Sequence, residues 1–402
     1  MQLREWNARL HGLVVFRALL GDPVVAKLAA LTDRLEAADD TIAPLCDAVA
    51  AFEAALFAHT TNLGDYLSNA VLETETVCVR QAAAGQLSPV MEAALNSELN
   101  FLQKLCGLTL DALLEAADRQ NRELAFLPRW EARQLDLTAA YNQRMREAGK
   151  KGYGMFAKHH VFTVETGQLV PVKYPDPQKL SELPGYEKER EKVIANTRAL
   201  LAGSPANNVL LYGDAGTGKS STVKAIANEY AADGLRLVEV KKNQLYQIPD
   251  LMDALASNPL KFILFIDDLS FTANDDNFAA LKAILEGSVG GRAGNIAVYA
   301  TSNRRHLIKE TLTDREGDDI HESDTRQELM SLSARFGLTI TFGSPDRERY
   351  LHIVEELAKQ YGVELDPRQL AVRSEAFAVR SGGRSARVAK QFIELCKAGV
   401  FS

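Results

Sequence analysis

Cysteine is scarce in this sequence and forms no pattern. Four residues, Cys46, Cys78, Cys106 and Cys396, stand among 402. None makes a C-x-x-C pair and none has a histidine at metal-ligand spacing. That excludes a disulfide scaffold and a structural zinc site, and the thiols are expected to be reduced and mostly buried. Long hydrophobic runs are missing too. No apolar stretch approaches the ~20 residues that a bilayer-spanning helix needs, so no membrane partner is expected. Leu13-Val14-Val15-Phe16 is too short for a signal-peptide core and Arg17 interrupts it, which leaves a cytoplasmic location as the default. A basic excess is absent as well. Lys and Arg number 46 against 53 Asp and Glu, a net charge of -7. This argues against wholesale coating of nucleic acid and leaves room only for a local basic patch. The chain shows no internal repeat and no low-complexity segment.

What is present divides the chain into four parts. Residues 1–150 read as a helical accessory domain. Leu28, Leu31 and Leu35 share one helical face and Val49, Phe52 and Leu56 another, with Pro23, Pro44 and Pro89 marking starts or breaks. No catalytic constellation appears there. His11 and His59 are isolated, and Trp6 and Trp130 read as packing anchors. Residues 151–180 read as a hairpin and linker. Val161–Val164 alternates like a strand and can pair with Gln168–Val172, after which Pro171, Pro175 and Pro177 predict a stiff connector. His159 and His160 beside it are expected to be solvated. Over residues 181–344 strands alternate with helices: strands at 209–212, 235–240, 261–266, 295–301 and 338–342, helices after Tyr186 and at 251–256 and 278–286. Such alternation predicts a parallel sheet with helices on both faces. Residues 345–402 return to helix.

The most specific signal is Gly213-Asp214-Ala215-Gly216-Thr217-Gly218-Lys219-Ser220, which fits G-x-x-x-x-G-K-[ST] at every fixed position. An apolar run, Val209–Tyr212, precedes it. Helical spacing follows it. The glycines let backbone N–H groups approach phosphates closely, and the helix N-terminus adds partial positive charge. Lys219 can reach the β- and γ-phosphates, and Ser220 can ligate Mg²⁺. Phe262–Ile266 is an apolar strand that ends in Asp267-Asp268, at the strand end that faces the ligand crevice in parallel sheets. Asp267 suits Mg²⁺ through its water shell, and Asp268 suits orienting or deprotonating the attacking water. Ala300–Asn303 ends the next strand. Asn303 is placed to touch the water or the γ-phosphate, whereas Arg304 and Arg305 can equally be solvated. Arg335, in Ser333-Ala334-Arg335-Phe336-Gly337, precedes the last strand. Arg387, or failing it Arg384, can fold back on bound nucleotide from the terminal helical region.

Motifs in this order resemble the AAA+ ATPases. The stretches Pro205–Leu211, Phe265–Phe271, Tyr299–Leu307 and Ser331–Gly337 resemble a mainly bacterial AAA+ family known as a domain of unknown function. The resemblance runs from about Gly152 to the C-terminus. It implies a P-loop AAA+ core of parallel sheet between helices, a C-terminal helical lid, and an all-α domain in front. By it, ATP and Mg²⁺ are the ligands. Residues 213–220 with Ser221 and Tyr186 contact nucleotide, and Ser220 and Asp267 hold the metal. Asn303 matches the first sensor, Arg335 an arginine finger acting in trans, and Arg387 the second sensor. Homo-oligomerisation into a ring, such as a hexamer, is implied. So is a macromolecular client, protein or DNA, that the motifs do not name. One departure stands out: the second acid is Asp268 where most AAA+ proteins carry Glu. The side chain is one methylene shorter, which predicts altered water placement or slow turnover. An Asp-Asp pair also resembles bacterial replication initiators and points weakly to DNA.

Overall fold

The computed structural model describes residues 3–37, 41–83, 87–118, 124–270, 280–282, 284–285, 294–303 and 335–401. The chain forms two compact units, Met1–Lys158 and His159–Ser402.

Among the described residues, the regular elements of the first unit are all helices, with one isolated β-bridge between Asn62 and Glu131. Its longer helices are Pro23–Glu36, Ile42–Phe57, Leu63–Glu73 and Pro89–Cys106. Their starts follow from local chemistry. Asp22 caps the first, accepting from the Val24 and Val25 N–H groups, and Pro23 sits at the first helical position, where a missing N–H costs nothing. Ser88 and Pro89 repeat the device, and Pro44 lies in the first turn of its helix rather than breaking it. The predicted faces are the core: Leu28, Leu31, Leu35, Val49, Phe52 and Leu56 are all buried. Trp130 is a packing anchor, edge-on to Phe52 at 4.8 Å with its indole N–H donated to the Leu108 carbonyl at 2.7 Å. The Glu98 carboxylate accepts from three successive backbone N–H groups, Val14, Val15 and Phe16, and so fixes the turn between two helices.

The second unit is built on a seven-stranded sheet. Its strands are β1 (Val161–Glu165), β2 (Gln168–Pro171), β3 (Val209–Gly213), β4 (Leu235–Glu239), β5 (Lys261–Ile266), β6 (Ile296–Ser302) and β7 (Leu338–Phe342). They lie in the order β2-β1-β4-β5-β6-β3-β7. Every neighbouring pair is parallel except the β1–β2 hairpin. A central parallel strand is covered on both faces, so it reads as an unbroken apolar run, and all seven residues of β6 are buried. The helices Glu187–Leu201, Lys219–Glu229 and Ile248–Ala256 alternate with the strands. Tyr299 of β6 pins the first of them: its hydroxyl accepts from Asn196 at 3.0 Å and bonds the Thr197 hydroxyl at 2.8 Å. Three helices, Arg347–Tyr361, Pro367–Arg380 and Ala386–Lys397, form the lid, each capped by Asp or Ser (Asp346, Asp366, Ser385). Of the helix expected over 278–286, residues 280–282 and 284–285 are described and are helical.

Three expectations need correction. The hairpin, read as part of a hairpin and linker over residues 151–180, belongs to the sheet itself, because β1 pairs in parallel with β4. The proline-rich stretch after it, expected as a stiff connector, is bound to the same unit. Asn228, on the helix Lys219–Glu229, donates to the carbonyls of Asp176 and Gln178 at 2.8 Å each and holds the stretch against the sheet unit. The same Asn228 takes up His160, whose Nε2 lies 2.9 Å from its Oδ1, so His160 is half-buried and bonded rather than solvated.

Candidate nucleotide-binding site

β3 delivers the chain into the phosphate loop, and Gly213 makes the turn. Its φ is +138°, and a Cβ there would lie 2.0 Å from the Phe342 carbonyl oxygen of β7. Only glycine allows β3 and β7 to stay that close. Gly216 and Gly218 also take positive φ, +76° and +92°, which curls residues 213–218 around the N-terminus of the helix Lys219–Glu229. That helix end, the strand ends of β5 and β6, residues 176–179 and 182–184 with Arg190, and the lid together wall a cavity of about 1050 Å³.

Lys219 is 6% exposed. Its Nζ donates to the Gly213 carbonyl (2.9 Å), the Asp214 carbonyl (2.7 Å) and Asn303 Oδ1 (3.0 Å). Burial draws its pKa below the ordinary lysine value, and the carboxylates of Asp214, Asp267 and Asp268 push it back up. Asn303 is bifunctional. While its oxygen accepts from Lys219, its Nδ2 donates to Asp268 Oδ1 at 2.8 Å. Asp267 Oδ1 accepts from the Ser220 hydroxyl at 2.6 Å, the Thr301 hydroxyl at 2.5 Å and the Asp268 N–H at 3.1 Å. Asp268 takes φ +52°, a left-handed conformation uncommon for residues other than glycine, though aspartate adopts it more readily than most, and its N–H also reaches the Thr301 hydroxyl at 3.0 Å.

The structure therefore brings Ala215–Ser221, Asp267, Asp268, Asn303 and Arg387 to one cavity. The donor set fits a nucleotide with Mg²⁺. Ser220 and Asp267 are hard oxygen donors in direct contact, as that ion prefers, and they would hold it beside phosphate oxygens. Lys219, a buried ammonium resting on two carbonyls and an amide, is a cation placed for a phosphate. On the lid, Arg384 is tied up by Glu375 at 2.8–3.1 Å, whereas Arg387 lines the cavity and its backbone N–H donates to the Gly216 carbonyl at 3.0 Å.

Other expected residues sit elsewhere. Tyr186 does not line the cavity: its ring is 1% exposed, stacks on Phe342 at 5.3 Å, and its hydroxyl donates to the Gly343 carbonyl at 2.6 Å. Leu183, Pro184 and Arg190 from the same stretch line the cavity instead. Gly213 and Asp214 act through their carbonyls on Lys219, and the Asp214 carboxylate faces Ser344. Arg335 is half-buried, three residues ahead of β7. Its separation from Lys219 is along the strands rather than across the sheet. β7 is bonded directly to β3 with Leu338 opposite Val209, so Arg335 lies before the strand starts and the phosphate loop after the strand ends. Arg304 and Arg305, Phe271, and the motif residues 306–307 and 331–334 lie outside the described residues. Thr301 was not singled out from the sequence. The available signal was strand alternation: Thr301 is two residues before Asn303 and so shares its face. Lys390, one turn beyond Arg387, also lines the cavity.

The profile of a family described as protein of unknown function (DUF815) matches residues 156–400. A replication factor C large subunit from Staphylothermus marinus is 31% identical over 141 residues, 35% of this chain and 29% of the relative. Two variant forms of RuvB from Thermotoga maritima are similar in structure. One is 20% identical with a TM-score of 0.36, over 54% of this chain and 63% of the other, and the second is 18% identical with a TM-score of 0.35, over 54% and 64%. This chain thus spans less than a third of the replication factor subunit and just under two thirds of the RuvB chains. With the profile match running over more than half its length, the chain belongs to the DUF815 family.

Proposed function

We propose that this chain binds ATP with Mg²⁺ and hydrolyses it, and that a ring of its copies uses the cycle to remodel or load a macromolecular partner in the cytoplasm. One observation carries the reading. The hydrogen-bonded series Lys219–Asn303–Asp268 meets the series Ser220–Asp267–Thr301 inside a single cavity. A phosphate-directed cation, a metal-directed pair and a carboxylate oxygen with no hydrogen bond among the described residues are then within one site, which is the inventory that phosphoryl transfer to water needs.

In the proposed reaction Asp268 orients a water through its outer oxygen and takes its proton as the oxygen–phosphorus bond forms. The bond from the γ-phosphorus to the β–γ bridging oxygen breaks, and ADP leaves with those electrons. Asn303 holds Asp268 on one side and Lys219 on the other, which keeps base and cation in register. Arg387 adds positive charge from the lid. A bound Mg²⁺ supplies Lewis-acid charge at the phosphates.

The direct test is Lys219→Ala. Removing the charge-assisted contacts is expected to weaken ATP binding roughly ten- to a hundredfold, read by titration calorimetry. An affinity within about threefold of wild type, less than a kcal/mol, would remove the assignment. The sequence relative named as a replication factor supports a DNA-linked version of the role. Hydrolysis rates with and without single-stranded DNA separate the two, since a DNA-linked protein should be stimulated and its binding should weaken with salt.

A further inference from the structure

We propose that Asp214 is a positioning residue whose carboxylate latches the hinge between sheet and lid to the phosphate loop, so that the loop sets where the lid holds Arg387. The inference rests on the nucleotide-binding reading of the cavity. The second residue of the phosphate loop turns its side chain away from the space the loop encloses. The cavity wall begins at Ala215, and Asp214 is not part of it.

The carboxylate goes instead to the hinge. β7 ends at Phe342 and the first lid helix begins at Arg347, so residues 343–346 carry the whole connection. Asp214 Oδ2 accepts both the backbone N–H and the hydroxyl of Ser344, each at 2.7 Å. These bonds hold the Asp214 carboxyl below the usual carboxylate range, so the latch is charged at any physiological pH. The residue before Ser344 is fixed as well, because the Gly343 carbonyl accepts from Tyr186. Arg349, on the first turn of the lid, lies 4.7 Å over the Tyr186 ring and pairs with Glu189.

The rest of Asp214 is engaged with the machinery. Its N–H donates to the Phe342 carbonyl at 3.1 Å. Its carbonyl accepts from Lys219 Nζ and from the Thr217 hydroxyl, at 2.7 and 2.9 Å. One residue therefore touches the phosphate-directed cation, the last strand and the hinge. A second tie closes the loop from the far end of the lid, where Arg387 N–H meets the Gly216 carbonyl. Gly216 is held to glycine there, since a Cβ would lie 3.0 Å from Arg387 Cβ. Lys219 rests on the Gly213 and Asp214 carbonyls, so the backbone that bears the latch is the backbone that holds the phosphate-directed cation.

The experiment compares Asp214→Ala, Asp214→Asn and Ser344→Ala with wild type in the full chain. Three readouts are taken: ATP affinity, steady-state hydrolysis, and hydrogen exchange at the amides of Ser344 and Arg387. Asp214→Ala is expected to keep ATP affinity within about threefold, lower kcat about tenfold because Arg387 is no longer held in place, and speed exchange at both amides. Asn still offers one acceptor and should lie between Ala and wild type. Ser344→Ala keeps the backbone half of the latch and should shift all three readouts the same way by less; it carries the test if Asp214→Ala does not fold. Loss of ATP affinity with exchange unchanged would mean that Asp214 acts on the nucleotide itself. Unchanged kcat with unchanged exchange would make the contact incidental. Either result overturns the proposal. If wild type binds no ATP, the nucleotide reading fails on its own, and exchange at Arg387 in Asp214→Ala still decides whether the latch positions the lid.

Discussion

Single residues carry opposite burdens in the two units. In the sheet unit, Asp268 is held by Asn303 at one oxygen while its other oxygen is the base of the proposed reaction. Asp268→Asn keeps the Asn303 contact and removes the proton acceptor. ATP binding should be nearly unchanged, and single-turnover hydrolysis should slow by about 10²–10⁴-fold. A wild-type rate would assign the water to another group. In the helical unit, Glu53 has no such partner. It is 2% exposed, and neither carboxylate oxygen has a hydrogen bond among the described residues. Burial pushes its pKa up to about 6 from 4.5, with the Arg129 guanidinium pulling the other way. The folded unit thus binds this proton more tightly than the unfolded chain does. Folding is least opposed below about pH 4.5, and the cost builds as pH rises through about 6 to roughly 2 kcal/mol. Glu53→Gln should therefore stabilise the unit at pH 8, change little at pH 4.5, and flatten the dependence between, as read by urea unfolding at both pH values. Equal effects at both would mean that the carboxyl is not buried in its charged form.

At the scale of elements, the sheet is held at its functional edge by a backbone-to-backbone approach. Gly213 lets β3 end against the Phe342 carbonyl of β7, and the lid grows directly from β7. Gly213→Ala adds a Cβ where no flexible side chain can give way, and it does so at φ +138°. Strain and overpacking together should cost about 3 kcal/mol or more. The loss should appear as a lower urea midpoint, with the helical unit, monitored through Trp130, unfolding where it did before. A wild-type midpoint would mean that β7 can part from β3 freely.

At the scale of the whole molecule, Arg335 lies beyond the start of β7 while Lys219 follows the end of β3. Within one chain the strands themselves separate them, at about 3.3 Å per residue. We propose that this arginine completes the site of a neighbouring copy, where such a group contributes on the order of 10³–10⁵ in rate. Arg335→Ala and Lys219→Ala proteins should each be nearly inactive alone. Mixed, they should recover part of the hydrolysis, because an interface can then join a sound phosphate loop to a sound arginine. Specific activity should also rise with protein concentration as copies assemble. Flat activity and no recovery on mixing would return Arg335 to a structural role.

The phosphate loop, the Asp267-Asp268 strand end and the parallel sheet were legible in the sequence because each is a local pattern. A glycine spacing, an apolar run and a period of two or 3.6 survive in one dimension, and β5 and β7 begin and end where the run of residues says. Asn303 was legible for the same reason, as the polar end of an apolar strand. Tertiary structure decided the matters that depend on which distant residues meet. Tyr186 looks like a nucleotide contact until Phe342 and Gly343 claim it. Asp214 looks like part of the cradle until Ser344, 130 positions on, takes its carboxylate. The hairpin at 161–171 looks like part of a linker until β4 pairs with it. Sequence patterns record how a segment repeats against its own neighbours. A hydrogen bond between segments far apart in the chain has no period, and only the folded sheet brings its donor to its acceptor.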